Sequence, residues 1–151
     1  MTLFKNPFIN IIFIIFMSSV YSFIFIFTSD HIEFLGLHSH GQTLNSPFWN
    51  EWSDFIKAGN MKFIGYFIIS LTVIILLFMA IKRTKNYYDE FQLSILNRCF
   101  ILVGFISILM VPVMMIMLLS DPNYAIETIL LFASVQWISV LVLYLFYVIR
   151  N

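Results

Sequence analysis

Charged residues are scarce in this sequence. Asp, Glu, Lys and Arg make up only 11% of its 151 residues, whereas a typical soluble domain has about 25%. The eight basic and eight acidic side chains cancel to a formal net charge of zero, so the chain has no basic excess with which to bind nucleic acid. Because 61% of the residues are hydrophobic, the composition also excludes a disordered chain and an ordinary soluble enzyme.

Cysteine, glycine and proline are scarce as well. The single cysteine, Cys99, excludes an intramolecular disulfide and a metal site built from several cysteines. The sequence has no internal repeat and no low-complexity linker, so we expect residues 1–151 to form one domain. No motif combines a nucleophile, a base and an orienting group, so we expect no enzymatic activity.

Long apolar runs are the main feature that is present, and the mean hydropathy is +0.94. A helix needs about 20 apolar residues to cross a hydrocarbon core of about 30 Å. Four runs meet this length: 8–27, 63–81, 100–119 and 126–149. They are too long for membrane strands and do not alternate. The sequence therefore predicts an all-α integral membrane protein with a four-helix bundle. The first run is too long for a signal-peptide core, and no A-x-A site follows it, so we expect an uncleaved anchor.

The basic residues predict the orientation of these spans. An even number of spans places both termini on the same side of the membrane. Six of the eight Lys and Arg residues fall on that side, namely Lys5, Lys82, Arg83, Lys85, Arg98 and Arg150. Lys57 and Lys62 fall on the other side. The positive-inside rule then predicts cytoplasmic termini. We expect a multi-pass protein in the cell membrane of a bacterium, with the lipid bilayer as its first partner.

The loop between the first two spans, residues 28–61, is predicted to contain an extracytoplasmic amphipathic helix at about 46–58. Ser46 suits an N-cap, Pro47 suits the first helical position and Gly59 suits a terminator. The residues expected on the apolar side are Phe48, Trp49, Trp52, Phe55 and Ile56. The residues expected on the polar side are Asn50, Glu51, Ser53, Asp54 and Lys57. Such a helix either lies in the membrane interface as a cap or acts as a lid or docking surface. In the second case Trp49, Trp52 and Phe55 are the candidate partner contacts.

The first half of the same loop contains all three histidines. In an extended segment residues two apart point the same way, which pairs His31 with Glu33 and His38 with His40. Imidazole and carboxylate groups bind zinc, and imidazole also binds copper. The segment is therefore either an extracytoplasmic zinc or copper site or an ordinary polar loop, and no other cofactor is indicated.

The methionines in the third span are either copper ligands or packing residues. Met110, Met114 and Met117 share one helical face. Thioether sulfur is a soft ligand for Cu(I), so these residues and the histidine loop together could form a copper path. The alternative is that they fill space between helices.

Few polar groups occur within the spans, and the span centres carry no charge, which argues against a proton relay. Gln136 is expected to form an interhelical hydrogen bond, and Gly65 and Gly104 to permit close helix approach. The serines and threonines of the spans are expected to be helix contacts; they are Ser18, Ser22, Ser70, Thr72, Ser107, Ser134 and Ser139. Asn86 or Asp89 is expected to cap a helix that runs into the third span.

These features define three functional hypotheses. The first is a non-catalytic accessory, assembly, regulatory or immunity-type subunit that acts through a membrane protein partner or a homo-oligomer. The second is a metal-handling protein that uses His31, Glu33, His38 and His40. The third is a small oligomeric transporter or channel with its pore between protomers, against which the lack of charged span residues counts.

Overall fold

A computed structural model describes residues 6–30, 47–81, 88–120 and 125–150 of the chain. In these residues it contains five helices and no strand: α1 (Pro7–Asp30), α2 (Pro47–Lys57), α3 (Met61–Ile81), α4 (Glu90–Ser120) and α5 (Ala125–Arg150). All but α2 are long and apolar enough to cross a membrane. The structure confirms the all-helical class and contains a long apolar helix at each of the four predicted spans. The helix α4, which contains the predicted third span 100–119, begins ten residues before that span.

The four long helices alternate in direction. Pairing of Ser18 with Thr72 and of Ser22 with Gly65 makes α1 and α3 antiparallel. The helix α5 runs parallel to α3, because Trp137 lies near Thr72 through Ser18, and Tyr144 Oη lies 3.8 Å from Met79 Sδ. It runs antiparallel to α4, because Tyr144 lies beside Tyr88 and Gln136 beside Ser107. It packs on both α3 and α4 and also contacts α2. Residues 7 and 150 therefore lie at one end of the bundle, which we name the terminal end. We name the opposite end, which carries α2, the α2 end.

Side chains cap the first turns of two long helices. Asn6 Oδ1 accepts the Phe8 backbone N–H at 2.9 Å, and Pro7 occupies the first helical position of α1. At α4, Asp89 Oδ1 accepts the Gln92 backbone N–H at 2.8 Å, and Gln92 Oε1 accepts the Asp89 backbone N–H at 3.3 Å. This reciprocal capping box confirms Asp89 as the residue that starts the helix.

The turn between α2 and α3 is built on Gly59, the predicted terminator. Gly59 has a φ of 73°, a left-handed conformation that glycine adopts without a Cβ clash. Its N–H donates to Ile56 O at 2.9 Å, and the Asn60 N–H donates to Phe55 O at 3.2 Å. These two bonds form a Schellman motif. Ser29 Oγ donates to Gly59 O, so the last turn of α1 is joined to this turn.

The two predicted close-approach glycines have different surroundings. A Cβ on Gly65 would lie 2.8 Å from Ile26 Cγ1 and 3.1 Å from Ser22 O, so α1 and α3 are close together at this point. Ser22 Oγ also donates to Gly65 O at 3.2 Å. This confirms the prediction for Gly65. A Cβ on Gly104 would meet no described atom within 4 Å, so Gly104 serves no such contact in this part of the chain.

Candidate functional site

A buried polar cluster joins α1, α3 and α5 near the middle of the bundle. Ser18 Oγ accepts the indole N–H of Trp137 at 3.2 Å and lies 2.8 Å from Thr72 Oγ1. Thr72 Oγ1 also lies 2.8 Å from Ile68 O. One arrangement of protons satisfies all three contacts: Thr72 donates to Ile68 O, Ser18 donates to Thr72, and Trp137 donates to Ser18. The ring of Tyr21 stacks on Trp137 with centroids 5.0 Å apart. These groups bond one another, so the cluster fastens the three helices together.

A second polar contact holds α2 against α5. The side chain of Glu127 is buried, with 4% of its surface exposed. Ser53 Oγ donates to Glu127 Oε1 at 3.1 Å, and the Trp52 indole N–H donates to the Glu127 backbone oxygen at 3.0 Å. Two consecutive residues of α2 thus bind one residue in the first turn of α5. The contact fixes α2 over the end of the bundle.

The face that α2 buries differs from the face that its sequence pattern predicts. The sequence pattern placed Ser53 on the polar side and Phe48 on the apolar side. In the structure the buried residues are Trp49, Ser53 and Ile56, which are spaced four and three apart on one helical face. Phe48 is 54% exposed. Ser53 points inward because a buried carboxyl group needs a hydrogen-bond donor, and its hydroxyl supplies one.

The three predicted partner contacts of α2 have different environments. Trp49 is buried, whereas Trp52 and Phe55 are half-buried and stack on each other with ring centroids 5.5 Å apart. Trp52 also bonds α5 within the chain. Phe48 is thus the most exposed aromatic side chain of this helix. A partner-binding role for Trp49, Trp52 and Phe55 stays a prediction.

The predicted metal ligands His31, Glu33, His38 and His40 lie outside the described residues. Among the residues that are described, no group of three His, Cys, Asp or Glu side chains could hold a metal ion. The zinc or copper site therefore stays a prediction. Met110, Met114 and Met117 are half-buried along one side of α4, whereas Met115 is exposed. This burial pattern follows a helix face, and the copper path is likewise untested.

The other polar residues of the spans form two groups. Gln136 Nε2 lies 3.5 Å from Ser107 Oγ, a long contact that joins α5 to α4 as predicted. Ser70 and Ser139 donate instead to the carbonyl four residues earlier in their own helices, at 2.9 Å and 2.7 Å. The second pattern is common for serine in helices and makes no bond to a neighbouring helix.

The helix α4 is the most exposed of the four long helices. Only Leu96 of its 31 residues is buried, whereas α5 buries nine of its 26 residues. One side of α4 consists of exposed side chains spaced three or four residues apart. We name this side the open face of α4: Ile101, Gly104, Phe105, Ile108, Pro112, Met115 and Leu119. In the described chain this face is free to contact lipid or another helix.

These features define a multi-pass helical membrane protein with a helical cap at one end. The chain matches no protein-family model, no curated protein and no solved structure. Sequence reasoning missed Glu127 as the anchor of α2 and the open face of α4 as a surface. An acidic residue in the first turn of an apolar span was the available signal for Glu127.

Proposed function

We propose that this protein is a non-catalytic accessory subunit that binds a transmembrane helix of a different membrane protein through the open face of α4. The exposure of α4 is the observation that carries the proposal. A 31-residue apolar helix with one buried residue contributes little to the core of its own chain. Its surface is the one most available for a partner.

The two glycines support a helix as the partner. Small residues let helix backbones approach closely in a membrane. Gly65 serves this purpose between α1 and α3, where a Cβ would clash with Ile26. Gly104 offers the same opportunity on the open face, with no described atom within 4 Å of its Cβ position. We infer that a partner helix crosses α4 at Gly104.

The interior of the bundle favours the accessory role over the transporter or channel hypothesis. Residues 64–81, 99–120 and 128–149 contain no charged side chain. The buried hydroxyls of Ser18 and Thr72 and the indole N–H of Trp137 bond one another. Transport of ions or protons through a membrane normally depends on charged or titratable groups in the spans.

The orientation of the bundle in the membrane is part of the same proposal. Arg98 and Arg150 lie toward the terminal end, and Lys57 and Lys62 lie toward the α2 end. Together with the distribution of basic residues along the whole sequence, this favours a cytoplasmic terminal end and an extracytoplasmic α2. In this arrangement α2 caps the bundle at the membrane interface.

Copurification from the native host tests the proposal. The wild-type chain, extracted in mild detergent, should give a heteromeric mass in native mass spectrometry. Gly104→Leu should remove most of the partner, because leucine blocks close backbone approach. Ser70→Leu is the matched control, since Ser70 is an exposed small residue of α3. Equal loss in both variants, or a wild-type protein that carries no second chain, would contradict the proposal.

A further inference from the structure

A cleft of about 340 Å³ opens between α4 and α5 at the terminal end. Its walls include the apolar side chains of Phe91, Leu102, Leu143 and Phe146. Arg98 and Arg150 also line it. The cleft includes none of the residues of the open face of α4 and none of the buried polar cluster. It therefore combines two guanidinium groups with an apolar groove at a separate place on the surface.

The positions of the two arginines match the depth of lipid headgroups. Residues 99–120 of α4 and 128–149 of α5 are uncharged. Each stretch is roughly 33 Å long at 1.5 Å per residue, close to the thickness of about 30 Å of a hydrocarbon core. Arg98 directly precedes the first stretch and Arg150 directly follows the second. Both side chains thus fall where the apolar core meets the headgroup layer.

The polar groups at the cleft favour an anion. Both arginines are exposed, and no carboxylate of the described residues forms an ion pair with either. The acidic residues nearest to Arg98 along the chain are the exposed Glu90 and the capping residue Asp89, whose carboxylate accepts the Gln92 N–H. A guanidinium group binds phosphate oxygens through two parallel N–H bonds. Ser94, which also lines the cleft, adds a hydroxyl donor.

We propose that this cleft binds one anionic glycerophospholipid. Its phosphate lies between Arg98 and Arg150, and an acyl chain lies along Leu102, Leu143 and Phe146. Basic pockets between membrane helices on the cytoplasmic side bind anionic headgroups in this way. The apolar walls distinguish a lipid from a free phosphate, because a soluble anion gains nothing from them. Two positive charges favour a lipid with a net negative charge over a zwitterionic one.

Lipid binding by the purified full-length chain tests this site. Native mass spectrometry would count bound phosphatidylglycerol and bound phosphatidylcholine at equal concentrations. We expect one phosphatidylglycerol to be retained in preference to phosphatidylcholine. Arg98→Gln and Arg150→Gln should each lower the phosphatidylglycerol affinity roughly ten-fold, because each removes a charge-assisted phosphate contact. Lys62→Gln is the matched control: it removes one positive charge at the α2 end and should leave the affinity unchanged.

A variant that keeps both arginines measures the contribution of the apolar groove to lipid binding separately from that of the two positive charges. Leu143→Trp should fill the cleft and weaken phosphatidylglycerol binding, with helix content by circular dichroism unchanged. Glycerol 3-phosphate, which has the headgroup chemistry but no acyl chain, should not compete. Three results would each overturn the proposal: equal retention of both lipids, an equal effect of Lys62→Gln, or unchanged binding in Leu143→Trp. Copurification of a protein partner is a separate measurement, so the proposed function can fail while this site stands.

Discussion

Glu127 shows how a single residue organises one end of the molecule. A carboxyl group buried near the end of a membrane helix requires hydrogen-bond donors. The structure supplies one from the Ser53 hydroxyl, 74 residues earlier in the chain. Trp52 adds a bond to the backbone of the same residue. The position of α2 is thus set by a polar contact as well as by apolar packing.

Removal of the Ser53 hydroxyl should destabilise the protein. Ser53→Ala leaves the buried Glu127 carboxyl group without this donor, which costs about 1–3 kcal/mol. Thermal unfolding in detergent, followed by circular dichroism, measures the change. The control is Ser70→Ala, which removes an exposed hydroxyl that bonds only its own helix in the described chain. It should change stability by no more than about 0.5 kcal/mol. Equal effects of the two substitutions would show that the Ser53–Glu127 bond is unimportant.

The two close-approach glycines should respond differently to the same substitution. Gly65→Val forces side-chain atoms against Ile26 and against Ser22 O, so it should lower the free energy of unfolding by about 1–3 kcal/mol. The Cβ of Gly104→Val would meet no described atom within 4 Å, so this substitution should leave the isolated chain as stable as the wild type. The same unfolding measurement compares the two variants. A larger loss for Gly104→Val would mean that α4 packs more closely than the structure shows.

At the scale of helices, the sequence predicts where each helix lies along the chain better than it predicts which face of the helix is buried. The four spans follow from apolar length alone, and the ends of α2 follow from Pro47 and Gly59. The inward face of α2 did not follow from its own pattern. The reason is that Ser53 is buried by a partner on α5, which a local hydrophobic pattern does not contain.

For the helix α4 too, the sequence predicts the position of the helix but not its burial. The sequence leaves Asn86 and Asp89 as alternative caps for a helix that runs into the third span, and the structure contains the capping box of Asp89. The exposure of α4 was not foreseen, because an apolar composition fits a central helix and a peripheral one equally well. The candidate metal residues His31, Glu33, His38 and His40 lie outside the described residues, so the metal site stays a prediction.

At the scale of the whole molecule, α1, α3 and α5 form a core, α4 packs at its periphery, and α2 covers one end of the described chain. The polar cluster of Ser18, Thr72 and Trp137 joins α1, α3 and α5. The helix α4 rests mainly on α5 and leaves its open face uncovered. This asymmetry is the basis of the proposed accessory role: one part of the protein supports the fold, and another part is available for binding.

Site-specific photocrosslinking in native membranes tests this central claim most directly. A photoreactive amino acid at Ile108 would lie on the open face, and the same group at Ile69 would lie on an exposed side of α3. We predict that Ile108 gives a protein adduct of one defined mass and that Ile69 gives only lipid adducts. Lipid adducts alone from Ile108, or the same protein adduct from both positions, would contradict the account.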